Sequence, residues 1–160
     1  MVMCQDTEGP LAKMVSPIKI ILPKKRKKDE TVYLNLNTYR NLHWIKNNKI
    51  KQIYNELMKD QLEGLVLPTP IDIEFILYAN AIQGGKKVFD TANICAIVNK
   101  FFCDALVHYG CIEDDSHQYI KKTTSDFGGY DKDNSRIEII IWKSDEIKNK
   151  KEKFCIAKNT

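Results

Sequence analysis

The 160-residue sequence predicts an α+β fold, a mixed β-sheet with two main helices packed on it, and three observations carry that expectation. Residues 70–81, PIDIEFILYANA, alternate cleanly at their start, with Ile71, Ile73, Phe75 and Leu77 set against Asp72, Glu74 and Ile76, the period of two that a central strand needs. Two longer stretches, 47–62 and 90–109, repeat apolar residues every three or four positions, as amphipathic helices do. The order along the chain, two extended pieces, a helix, a strand, a helix and two strands, combines hairpins with a crossover and so gives a mixed sheet.

The elements follow in turn. Residues 1–16 lack periodicity and are expected to form a flexible N-terminal tail. PIKIIL (17–22) is a short strand ended by Pro23 and the run KKRKKDE. TVYLNLNTYRNLHW (31–44) alternates at first, with Val32, Leu34 and Leu36 on one side, then turns polar and aromatic. Ile50, Ile53, Tyr54, Leu57 and Met58 form the apolar stripe of the first helix, which Gly64 and Pro68 close. IQGGKK after the central strand reads as a flexible turn. Asp90 opens the second helix and Gly110 ends it. A strand is expected over 117–124, a turn over 125–135, and a last strand, RIEIIIWK, over 136–143. Residues 144–160 form a charged C-terminal tail, so the folded domain is expected over 17–143.

At 43% hydrophobic and 29% charged, the composition suits one globular domain with a real core. No run reaches the roughly 18 apolar residues of a membrane span, and MVMCQDTEGPLAK lacks the basic-then-apolar order of a signal peptide. A cytoplasmic protein without a membrane partner is therefore expected. The five cysteines, at 4, 95, 103, 111 and 155, include no CxxC and read as reduced residues outside any zinc site or disulfide framework.

Charge is unevenly placed. Between residues 17 and 60, eleven basic side chains face four acidic ones, a net of +7 in a chain whose total is +4. Lys24, Lys25, Arg26, Lys27 and Lys28 form a basic run, and Arg40, Lys86 and Lys87 add to it. A basic front half joined to an acidic remainder suggests a polyanion held by one part and worked on by another. A solvated basic loop and a nuclear-targeting segment are alternative readings of KKRKK. Tyr39, Arg40, Asn41, His43 and Trp44 are of the types that contact phosphates and stack on exposed bases, or that pack at a core edge.

The acidic counterpart is CIEDDSHQYI (111–120), where Asp114 and Asp115 stand side by side. Adjacent carboxylates repel, so such a pair is solvated, caps a helix or holds a cation. Asp90 is an excellent N-cap in its own right. A helix of about 19 residues is roughly 28 Å long, so Asp90 and the Asp pair meet only if the chain bends or a symmetric partner completes the site. DKDNS (131–135) begins like a calcium loop but has Arg136 and Trp142 where Gly and Glu are required, and it is discarded. His43, His108 and His117 are read as incidental.

DTANICAIVNKFFCDALVHYGCIEDDSHQYI resembles the RusA family of Holliday-junction resolvases, many of them phage-borne. Asp90 and Asn93 match the family's Asp-x-Asp-Asn entrance, Lys100 its helical lysine, DAL (104–106) and Gly110 its helix end, and Asp114 with Asp115 its closing pair. LNLNTYRNLHW looks like the Asn-rich segment of phage members. The likeness spans about residues 17–143. In two places the chain departs from the pattern: Ala92 replaces the second entrance acid, and Lys100 lies about one helical turn further along.

The resemblance implies a RusA-like homodimer that resolves four-way junctions or other branched DNA by paired phosphodiester nicks, with Mg²⁺ or Mn²⁺ as cofactor. It implies that Asp90 and Asp115 are direct metal ligands, Asp114 a helper ligand or base, and Lys100 a stabiliser of the phosphate or leaving oxygen. Lys24, Lys25, Arg26, Lys27, Lys28, Arg40, Lys86 and Lys87 would hold the DNA arms through phosphate contacts. The alternative is a dimeric branched-DNA-binding module that does not cut because it lacks an acid at position 92.

Overall fold

The computed structural model of the protein describes residues 9–80 and 90–144. Its elements are β1 (Ala12–Ser16), β2 (Lys19–Leu22), β3 (Glu30–Tyr33), α1 (Leu36–Asn41), α2 (Trp44–Leu62), β4 (Ile71–Ala79), α3 (Thr91–His108), β5 (Ile120–Tyr130) and β6 (Arg136–Lys143). The α+β class and mixed sheet are as expected. Four strands lie in the order β1-β6-β4-β5, and β2 and β3 form a separate antiparallel ribbon. Within the sheet β4 and β5 are parallel, while β4–β6 and β1–β6 are antiparallel.

β4 alternates as its sequence demands: Ile71, Ile73, Phe75, Leu77 and Ala79 are buried, and the residues between them are half-buried on the opposite face. Ile137, Ile139 and Ile141 of β6 join the same buried layer. On it lies α3, whose adjacent phenylalanines divide the work. Phe102 meets Phe75 edge-on at 6.0 Å, and Phe101 turns toward Tyr39 of α1 and Tyr54 of α2 at 5.8 and 5.6 Å. Phe101 thus joins all three helices, where sequence periodicity marked only two. Tyr54 is fully buried, and its hydroxyl shares a 2.8 Å hydrogen bond with the buried Ser16.

Several boundaries differ from expectation. Residues 12–16, assigned to the tail, form β1, an edge strand against β6 with Met14 and Ser16 inward. Its outer edge is sealed because Gln61 accepts from the Val15 N–H and donates to the Val15 carbonyl, both at 2.8 Å. Extended structure after β3 gives way to α1, because the Asn35 side chain accepts from the Thr38 amide. α2 starts three residues earlier than periodicity suggested, with His43 as its cap. The turn expected over 125–135 is mostly strand: β5 continues to Tyr130 alongside β4. Gly128 permits this continuation, since a Cβ there would lie 2.6 Å from Ile76 Cγ2 and 2.7 Å from Tyr78 Cζ. Residues 1–8, the whole of the IQGGKK turn and nearly all of the charged C-terminal tail lie outside the described residues.

Replacing Phe101 by Ala should lower unfolding free energy by about 3–5 kcal/mol, because a fully buried ring leaves a cavity between three helices. Urea denaturation followed by circular dichroism measures the loss.

Candidate functional site

Because β4 and β5 are parallel neighbours, α3 runs back across the sheet from the C-terminal end of β4 to the N-terminal end of β5. Asp90 sits at its start. The Asp90 carboxylate accepts from the Asn93 amide at 3.1 Å, the N-cap geometry that its position suggested. Asn93 in turn accepts from the Leu36 amide at 3.1 Å, tying the start of α3 to α1. An open cleft of about 680 Å³ adjoins this end, lined among others by Lys19, Asn35, Lys46, Asn80, Asp90 and Asn93. Sequence reasoning singled out Asp90 and Asn93 but not Asn35 or Lys46, which come from other elements. Ala92 is exposed on the first turn.

At the other end, α3 stops in a Schellman motif. Gly110, with φ of 71°, donates to Val107, and Cys111 donates to Leu106. The acidic turn that follows is braced at both sides. Leu67 donates to the Cys111 carbonyl, Ile120 and Tyr119 donate to Ser116, and the Tyr119 hydroxyl donates to Glu113 at 2.8 Å. Asp114 and Asp115 are exposed on it, and among the described residues neither caps a helix nor forms an ion pair. Their charge is still felt inward: burial, then Asp115 and Asp104, push the Cys103 thiol up to about 12. Cys103, like Cys95 and Cys111, is a free, buried thiol.

The structure therefore brings Asp114 and Asp115 together and keeps Asp90 apart from them, at the far end of an 18-residue helix about 27 Å long. Lys100 is exposed partway along α3, and Asp104, one turn on, is paired with Lys51 at 2.8 Å. Among the described residues, no three His, Cys, Asp or Glu side chains converge on a point. Two adjacent exposed carboxylates do suit Mg²⁺, which is bound by one or two carboxylates and retained waters. Asp90 keeps unused acceptor capacity beyond its cap bond.

The basic run forms the tip between β2 and β3. Lys25, Arg26, Lys27 and Lys28 are exposed, and Asp29 closes the tip by accepting from the Lys24 amide at 3.2 Å. Lys24 is different, because Glu30 pairs with it at 2.9 Å and with Lys46 at 2.6 Å. Those two hydrogen-bonded ammonium groups hold the Glu30 carboxyl down to about 2. Arg40 is exposed on the last turn of α1 and Trp44 is 67% exposed, while Tyr39 is turned inward against Phe101. Lys86 and Lys87 lie outside the described residues.

Asp90→Ala should cost about 1 kcal/mol of stability and Asp90→Asn a few tenths at most, since asparagine caps as well as aspartate; thermal unfolding separates them. For Glu30 the folded-state pKa is depressed. Its contribution is therefore present above about 4.5 and is lost as pH falls toward about 2. The stability difference between wild type and Glu30→Gln should shrink through that window, as parallel acid titrations by circular dichroism would register.

Comparison with protein-family models and with curated proteins returns no match for this chain. Among the described residues no helix is long and apolar enough to cross a membrane.

Proposed function

We propose that the protein is a metal-dependent, structure-selective endonuclease of the RusA type, a homodimer that nicks four-way junctions or other branched DNA. The observation that carries this reading is the Asp114–Asp115 pair, held on a braced turn, exposed, and uncompensated by any cation among the described residues. Two like charges held side by side repel each other, and a divalent cation is the partner that relieves that repulsion. Asp115 and Asp114 would hold the ion, with Asp90 contributed by the second chain of the dimer, since α3 separates the two ends within one chain. When bound, Mg²⁺ neutralises charge growing on the phosphate and lowers the pKa of a coordinated water.

The other side chains have simpler roles. Lys100 offers a positive charge on the exposed face of α3, one that can approach a phosphate or a departing oxygen. Lys25, Arg26, Lys27 and Lys28 project from the β2–β3 tip and Arg40 from α1, an arrangement suited to holding phosphates by charge rather than reading bases. A four-way junction has two-fold symmetry, which a symmetric dimer matches. A second reading is favoured by Ala92, exposed where the family has its second entrance acid: a dimer that binds branched DNA without cutting it.

Purified protein is incubated with a labelled four-way junction and a matched duplex, with and without Mg²⁺. Paired nicks in the junction alone, dependent on the metal, are expected. Asp115→Asn should reduce nicking at least 100-fold while junction affinity is kept or increased. Tight junction binding with no nicks in Mg²⁺ or Mn²⁺ would replace the first reading with the second.

A further inference from the structure

The two edges of the four-stranded sheet are unlike. At β1, the Val15 N–H and carbonyl that face away from β6 are both taken by the Gln61 amide, so no strand can add there without displacing it. At the other edge, β5 runs for 11 residues with β4 as its sole strand neighbour among the described residues. Most of its side chains are exposed, including Phe127 at 44%. An edge that carries no second strand among the described residues over such a length is a template for another strand.

Its sequence also indicates which strand. Lys122 is in register with Asp72 and Asp126 with Ile76, so both lie on the sheet face away from the helices. They stand two residues either side of Thr124. In an antiparallel pairing of β5 with itself about Thr124, Lys122 falls opposite Asp126 of the partner subunit, and the two-fold axis repeats the pair. A shift of one residue would mismatch the two faces, and a shift of two would set Lys122 opposite Thr124 of the partner subunit, so face and charge together favour one register.

The same pairing acts on the acidic groups. In one protomer Asp90 lies at the end of the sheet where β4 and β5 finish, and the Asp pair lies where they begin. Antiparallel joining of the two β5 strands reverses the second protomer, so its strand beginnings lie beside the first protomer's strand ends. We propose that the β5 edge is a symmetric dimer seam, and that it gathers Asp90 of one protomer with Asp114 and Asp115 of the partner subunit at one end of the joined sheet. The shared-site half rests on the nuclease reading; the seam does not.

Three experiments on the full chain separate these halves. By analytical ultracentrifugation, Lys122→Asp and Asp126→Lys should each weaken the dimer at least tenfold, and the double exchange should restore it. Thr124→Cys should give an oxidised, disulfide-linked dimer that wild type does not. A monomeric wild type, or a dimer indifferent to the charge changes and not cross-linked through position 124, overturns the seam. Co-expressed Asp90→Asn and Asp115→Asn chains then test the site. Each is inactive alone, but their heterodimer retains one intact Asp90–Asp115 set and should nick one strand of the junction. No recovery, with wild type active, overturns the shared site. An inactive wild type overturns both the nuclease reading and the sharing, while the cross-link still decides the seam.

Discussion

Parallel pairing of β4 with β5 is the constraint from which the rest of the molecule follows. Adjacent parallel strands cannot be joined by a tight turn, so the chain must cross the sheet before β5 can begin. That crossing is α3, and its length sets the distance between the groups at its two ends. The helix also supplies the core: Phe102 seals the sheet, Phe101 seals the helices, and neither ring can serve both. Fold and functional geometry thus depend on one segment, and the acids at its ends are far apart because the helix between them is packed along its whole length.

Charge is organised on the same plan. Positive side chains crowd the β2–β3 tip and α2, while the acidic turn sits beyond the C-terminal end of α3. The basic region is not uniformly available. Glu30 pairs with both Lys24 and Lys46, which fastens the ribbon to α2 and offsets one of their two positive charges. The exposed run from Lys25 to Lys28 remains a dense local source of positive charge on that side.

Elements with a strong period were legible in the sequence: β4 and β6 through alternation at their starts followed by apolar, β-branched-rich runs, α3 through its broad apolar face and the glycine that ends it. β1 was not, because five residues between weak flanking signals show no pattern until β6, near the other end of the chain, gives them a partner. β5 was cut short for a different reason. Exposed on most of both faces, it has no hydrophobic alternation to read, and Gly128 and Gly129 look like a turn although one of them makes room for Ile76 and Tyr78. The site was legible in part. Asp90 as a cap and the distance from it to Asp114 and Asp115 followed from local rules, whereas the capture of Lys46 by Glu30 and the cleft formed by Asn35, Asn80 and Asn93 depend on tertiary packing.

The pairing of β1 with β6 joins the first strand to the last among the described residues. During synthesis the early strand therefore emerges long before its neighbour exists, with Met14 and Ser16 still lacking the layer that buries them. Contacts so distant in sequence close slowly, since the intervening loop must be ordered first. The Gln61 clamp offers β1 an earlier hold, because α2 is complete well before β6 leaves the ribosome. A side-chain amide that mimics a neighbouring strand thus serves the nascent chain as a temporary template, keeping a sticky segment occupied until the sheet can be finished.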